Sequence, residues 1–169
     1  MAVYDEGTRS MRKAALILGC VWLAAAGALG VPGPVGAAEL GKVAAGAGGL
    51  FAAAERGDPR AQAAIGFMYE TGRGLPQDYM LAVAWYQRAA EQGYPRAQQL
   101  LGLMYDRGQG VAEDYVVAHK WLNLAAAGAP PREREYYVRL RNALAFKMTV
   151  AQITEAQWRA RHWYPVRER

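Results

Sequence analysis

"GRGLPQDY" at residues 72–79 returns as "GQGVAEDY" at residues 108–115, 36 positions further on. An active-site signature has little reason to occur twice in one small domain, whereas a structural building block does. Laying residues 61–92 on 97–128 aligns Ala61 with Ala97, Gln62 with Gln98, Gly66 with Gly102, Met68 with Met104, and Tyr69 with Tyr105. It also aligns Gly72 with Gly108, Gly74 with Gly110, Asp78 with Asp114, Tyr79 with Tyr115, Ala82 with Ala118, and Trp85 with Trp121. Upstream, "AAERGDPRA" (53–61) matches "AAEQGYPRA" (89–97). Self-similarity with a period in the thirties marks a stack of helical hairpins.

The punctuation places the helices. Pro59 follows Asp58, and proline suits a first helical position because its missing N–H has no partner there to lose. A first helix is therefore expected over about 59–71, ending at Gly72 and Gly74, where glycine can take the positive φ of a helix end. Asp78 can accept from the free N–H groups of a second helix over about 79–92, which Gly93 closes. The second copy repeats this plan with Pro95, Gly108, Gly110, Asp114 and Gly128. Ala61, Ile65 and Tyr69 share one face of the first helix, and Ala82, Trp85 and Ala89 share one face of the second. Gly66 would admit close approach of another helix, and Trp85 and Trp121 are expected to bury against a neighbouring hairpin.

The residues now on the page resemble the Sel-one-like repeat, a relative of the tetratricopeptide repeat. The likeness rests on "IGFMYETGRGLPQDYMLAVAWYQRAAEQG" and its copy "LGLMYDRGQGVAEDYVVAHKWLNLAAAGA". Both carry a helix ending in tyrosine, a Gly-x-Gly loop, an Asp-Tyr cap and a helix with tryptophan and paired alanines. The resemblance covers about residues 50–129. It implies an all-α fold, a short right-handed α/α solenoid of antiparallel helix hairpins, with a role in holding partner proteins. Two departures stand out. Some exported relatives staple each repeat with a cysteine pair, which is missing here. The half-copy at 50–60, ahead of the copies at 61–96 and 97–129, has Gly49 where Trp85 and Trp121 align. Residues 39–49 are glycine-rich and read as a linker, with ordered helix from near Leu50.

The chain of 169 residues has room for one domain of about 130 residues once an export signal is set aside. Its single cysteine, Cys20, excludes an intrachain disulfide and a cysteine metal cage. Arg12 and Lys13 lead an apolar run over 14–31, and "VPGPVGAA" follows. That is the three-part pattern of a secretory signal, with cleavage after Ala37 or Ala38, and with Met11 as the true start. Export to the periplasm or medium is the reading. An uncleaved membrane anchor and a lipoprotein acylated at Cys20 are the alternatives, and only these would bring the chain to a membrane.

After "APP" (129–131), the stretch 130–169 breaks the repeat but keeps helical character, and reads as a closing pair of capping helices. Tyr136, Leu140 and Leu144 fall on one face of the first. Thr149 can cap the second, with Ile153 and Ala156 or Gln157 inward. The net charge of +5 is concentrated here, as a solvated arginine face. A basic tail can mean nucleic acid, but nothing resembling a nucleic-acid module accompanies it, and no such partner is expected.

Catalytic chemistry finds little support. His119 and His162 have no second His, Cys or paired carboxylate at ligand spacing. A Gly-x-Gly with no third glycine and no preceding strand is not a dinucleotide fingerprint. No cofactor is expected. What remains is a surface. The resemblance implies that the first helix of each pair lines the concave side, where Arg60, Ala63, Phe67 and Glu70 precede Arg96, Gln99, Leu103 and Asp106. Phe67 and Leu103 exposed beside Glu70 and Asp106 would make a groove for a peptide or helix; alternatively both pack partly against the next hairpin. The binding residues expected are thus Phe67, Glu70, Arg96, Gln99, Leu103 and Asp106, in a non-enzymatic envelope adaptor. An envelope enzyme or a binder of penicillin-like cell-wall ligands is the alternative.

Overall fold

A computed structural model describes residues 48–166 and 168. The export signal, Met11, Cys20 and most of the linker lie outside the described residues. Residues 48–55 are helical. Six helices follow: α1 (Pro59–Thr71), α2 (Tyr79–Glu91), α3 (Pro95–Arg107), α4 (Tyr115–Gly128), α5 (Pro131–Ala145) and α6 (Val150–Arg161). Every regular element among the described residues is a helix, arranged as a short helical-repeat solenoid. No helix among them is long and apolar enough to cross a membrane.

The repeat's punctuation acts at the atoms. Asp58 accepts from the Arg60 N–H at 2.9 Å. Asp78 accepts from Leu81 at 3.0 Å, and Asp114 from Val116 and Val117 at 2.9 and 3.0 Å. Each satisfies N–H groups that the first helical turn leaves free. The Asp78 N–H donates to the Tyr69 carbonyl at 2.9 Å, and the Asp114 N–H to the Tyr105 carbonyl at 3.1 Å. The hairpin loop is thus fastened identically in both copies. Gly110, at φ 71, lies directly on the Tyr79 carbonyl, so the second loop stacks on the start of α2 where no side chain has room. Helix begins earlier than Leu50, since Gly48 and Gly49 are already helical.

Trp121 is buried with residues of the first hairpin, as expected, but in each pair the residue facing the helix glycine stands one position beyond the tryptophan. Tyr86, not Trp85, faces Gly66, and a Cβ on that glycine would stand 2.6 Å from the ring. In the second copy, Leu122 takes the place of Tyr86 opposite Gly102, at 3.0 Å. Tyr86 and Leu122 are fully buried. The tryptophans point elsewhere. Trp85 is half-buried and meets Phe51 edge-on, centroids 6.0 Å apart. Trp121 is buried and meets Trp163 of the tail at 6.0 Å. Residues at i and i+1 of a helix are separated by about 100°, so the neighbours Trp85 and Tyr86 serve two different partners.

The repeat also persists further than its residues show. Pro59, Pro95 and Pro131 stand 36 apart, and each opens a helix. The helix α5 is therefore a third first-helix in period, with Tyr137 where the earlier copies have Ile65 and Leu101. Tyr137 and Leu144 are its buried residues, while Tyr136, expected inward, is half exposed. Both α5 and α6 pack on α4, so the closing pair leans on the stack as two separate helices rather than chiefly on one another. Thr149 and Gln152 form a reciprocal cap at the start of α6. Ala156 faces inward and Gln157 outward. Beyond α6 the chain turns back over the stack. The Val166 N–H donates to the Glu91 carbonyl at 2.7 Å, and Glu168 reaches Arg88 and Gln62 on the first repeat.

A candidate partner-binding face

The helices α1, α3 and α5 are the first helices of successive pairs, and α1 touches α3 directly. Ala63 and Gln99, expected outward, are buried at 5% and 7% exposure. Gln99 is therefore not a surface contact. Leu103 is half-buried, in keeping with packing against the neighbouring hairpin. Phe67 is exposed at 37%, and Arg60 and Arg96 are exposed.

The two acids are already engaged. The Tyr86 hydroxyl donates to Glu70 at 2.5 Å, and burial first, then this bond, pushes that hydroxyl well above the ordinary tyrosine range. Asp106 is paired with Lys147 from the turn after α5, at 2.8 Å. Glu70 and Asp106 therefore hold the scaffold together and do not line a shared groove.

Between α1 and α3 the structure leaves an open pocket of about 360 Å³, lined by Arg60, Ala63, Ala64, Phe67, Met68, Tyr94 and Arg96. It joins two of the expected binding residues, Phe67 and Arg96, with Arg60 and Ala63 of the same face, and leaves out Glu70, Gln99, Leu103 and Asp106. Neither arginine makes an ion pair with a described residue. Apolar walls with two cations at the rim suit an apolar side chain next to a carboxylate. Tyr94 was not anticipated, yet the sequence holds its signal. It aligns with the capping Asp58 but makes no side-chain cap bond itself, so its ring is left to line the pocket.

No cluster of three or more His, Cys, Asp or Glu residues among those described could hold a metal ion. His119 is buried at 2% exposure, where burial first and Arg141 second lower its pKa. His162 stacks on Trp158 at 4.4 Å. Neither touches the pocket.

The Sel1 repeat family model matches residues 59–94 and 95–129, boundaries that coincide with the Pro59 and Pro95 helix starts. The chain carries two Sel1 repeats. Among solved structures, the chain is similar to a protective antigen of uropathogenic Escherichia coli that displays an SLR fold. The two are 30% identical over 69% of this chain, with a TM-score of 0.64. The chain spans 24% of that antigen's length. It is also similar to a Sel1 repeat protein from Oxalobacter formigenes, at 46% identity over 53% of this chain and 68% of the other, with a TM-score of 0.49. No curated protein matches the sequence. Sel1 repeats build helical modules for protein–protein contact and generally serve as non-catalytic scaffolds.

Proposed function

We propose that this Sel1-repeat chain is a non-enzymatic adaptor of the bacterial cell envelope, exported by its N-terminal signal, and that it holds a partner protein or peptide in the pocket between α1 and α3. The observation that carries this reading is the pocket itself, lined by Phe67, Met68 and Tyr94 together with the exposed Arg60 and Arg96. A partner segment with an exposed apolar residue beside an acid complements it. Export rests on Arg12 and Lys13 ahead of the apolar run 14–31.

The test is selection of a displayed peptide library on the folded chain, repeated with Phe67→Glu and Arg96→Glu. Recovered peptides should pair an acid with an apolar residue and should lose both variants as targets. Peptides that bind all three proteins equally would remove the pocket from the proposal. Mass spectrometry of the protein from an envelope fraction should find an N-terminus just after Ala37 or Ala38. An intact N-terminus would remove the cleavage.

A further inference from the structure

The tail that follows α6 occupies a defined seat on the edge of the stack. The Trp163 ring tip and Pro165 lie over Gly93, 3.7 and 3.6 Å from where a Cβ would stand. Glu168 lies over Gly57, 3.1 Å from its Cβ position. Gly57 and Gly93 are the same residue of successive repeats, at φ 89 and 85, and each sits in the turn that leads into a first helix. The tail thus meets the same turn of two successive repeats, with Pro165 at one and Glu168 at the other.

The seat is built by the repeats and not by the tail. Gln62, fully buried, donates to the Ala54 carbonyl at 3.0 Å and accepts from Gln92 at 2.8 Å. Its counterpart Gln98 makes the same bond to Ala90, at 3.1 Å, without any tail residue. Arg88 is held over the Trp85 ring at 4.7 Å and near Glu55 at 3.5 Å. That leaves its guanidinium fork to receive the Glu168 carboxylate at 3.0 and 2.9 Å. A preformed fork of this kind recognises a carboxylate at little ordering cost. Meanwhile the Tyr164 and Val166 side chains are left 77% and 65% exposed, and Val166 is held only by its backbone N–H on the Glu91 carbonyl.

The geometry points to this edge as a peptide-recognition groove, occupied here by the chain's own tail, that takes in trans a protein segment of the pattern Trp-x-Pro-x-x-acid. The groove is distinct from the pocket between α1 and α3 and does not depend on it. A tethered tail acts at an effective concentration near the millimolar range, so it screens out weak partners and yields to strong ones.

The test is fluorescence anisotropy with a labelled peptide of residues 161–168, "RHWYPVRE", on the full chain. Trp163→Ala/Glu168→Ala loosens the resident tail, and its fold is checked by helical circular dichroism. The peptide should bind this variant about tenfold or more tighter than the wild-type chain. The same peptide ending in Gln should lose about tenfold, and Arg88→Gln in the loosened chain should lose binding. Glu168→Gln alone keeps Trp163 packed and serves if the double variant unfolds; it too should bind the peptide better than wild type. Failure of the folded variants to bind, equal binding by wild type, or indifference to Arg88→Gln would overturn the groove.

Discussion

Tyr86 is locked at both ends of its side chain: its ring presses on Gly66, and its hydroxyl reaches Glu70 at 2.5 Å. A buried ring fixed in this way cannot retreat from an added methyl group. Gly66→Ala is therefore expected to destabilise the chain by about 1–3 kcal/mol, even though alanine in a helix recovers up to about 1 kcal/mol. Gly102→Ala faces the flexible Leu122 at 3.0 Å and should cost less. Paired urea titrations check the order of the two.

Tyr86→Phe keeps the ring and removes the donor to Glu70. The expected cost is about 1–2 kcal/mol, as the half-buried acid loses its partner. Equilibrium unfolding of the single variant measures it, and an unchanged midpoint would show that water replaces the bond.

The two repeat tryptophans should not behave alike. Trp121 is buried at 4% exposure, and Trp121→Ala is expected to cost about 3–5 kcal/mol. Trp85, half-buried against Phe51, should cost about 1–2 kcal/mol when truncated. Thermal unfolding of both variants decides.

His119 carries a pH dependence with a fixed sign. Burial and Arg141 lower its folded pKa, so below the ordinary histidine value of about 6.5 the unfolded chain binds the proton more readily. Stability present above that value falls as the pH drops toward the lowered one. His119→Val installs the residue that the first copy carries at Val83, and should flatten the profile below about pH 6.5 without loss at pH 7. Denaturation midpoints across that range are the measurement.

A second acid transition belongs to the tail. The Arg88 fork, and more weakly Gln62, hold the Glu168 carboxyl below its ordinary value against the opposing effect of burial. A carboxylate with a lowered folded pKa stabilises above the ordinary glutamate value and is lost as the pH falls through the lowered one. The Arg88 Nε–H resonance should shift in that window, and Glu168→Gln should show the released position already at neutral pH.

The hairpins were legible because proline, glycine and aspartate act locally: Pro59, Gly72 and Asp78 each determine only their own turn. The face of each helix was harder to read. Trp85 looks like the natural knob for Gly66, yet the adjacent Tyr86 fills that gap, since which of two neighbouring aromatics turns inward depends on a partner 20 residues away. The third repeat helix at Pro131 hid because Arg134 and Val138 replace the glutamine and glycine of the earlier copies. Gln99 and Ala63, read as outward from helical spacing, are buried by packing between helices that no local signal marks. Nothing local marks Glu168, whose partners Gln62 and Arg88 lie 106 and 80 positions earlier.

An array of repeats held only by nearest neighbours can settle unit by unit as it leaves the ribosome. Here Arg88 and Gln62 wait for a carboxylate encoded 80 and 106 positions later, so this hairpin is fully secured only after the helices between have emerged.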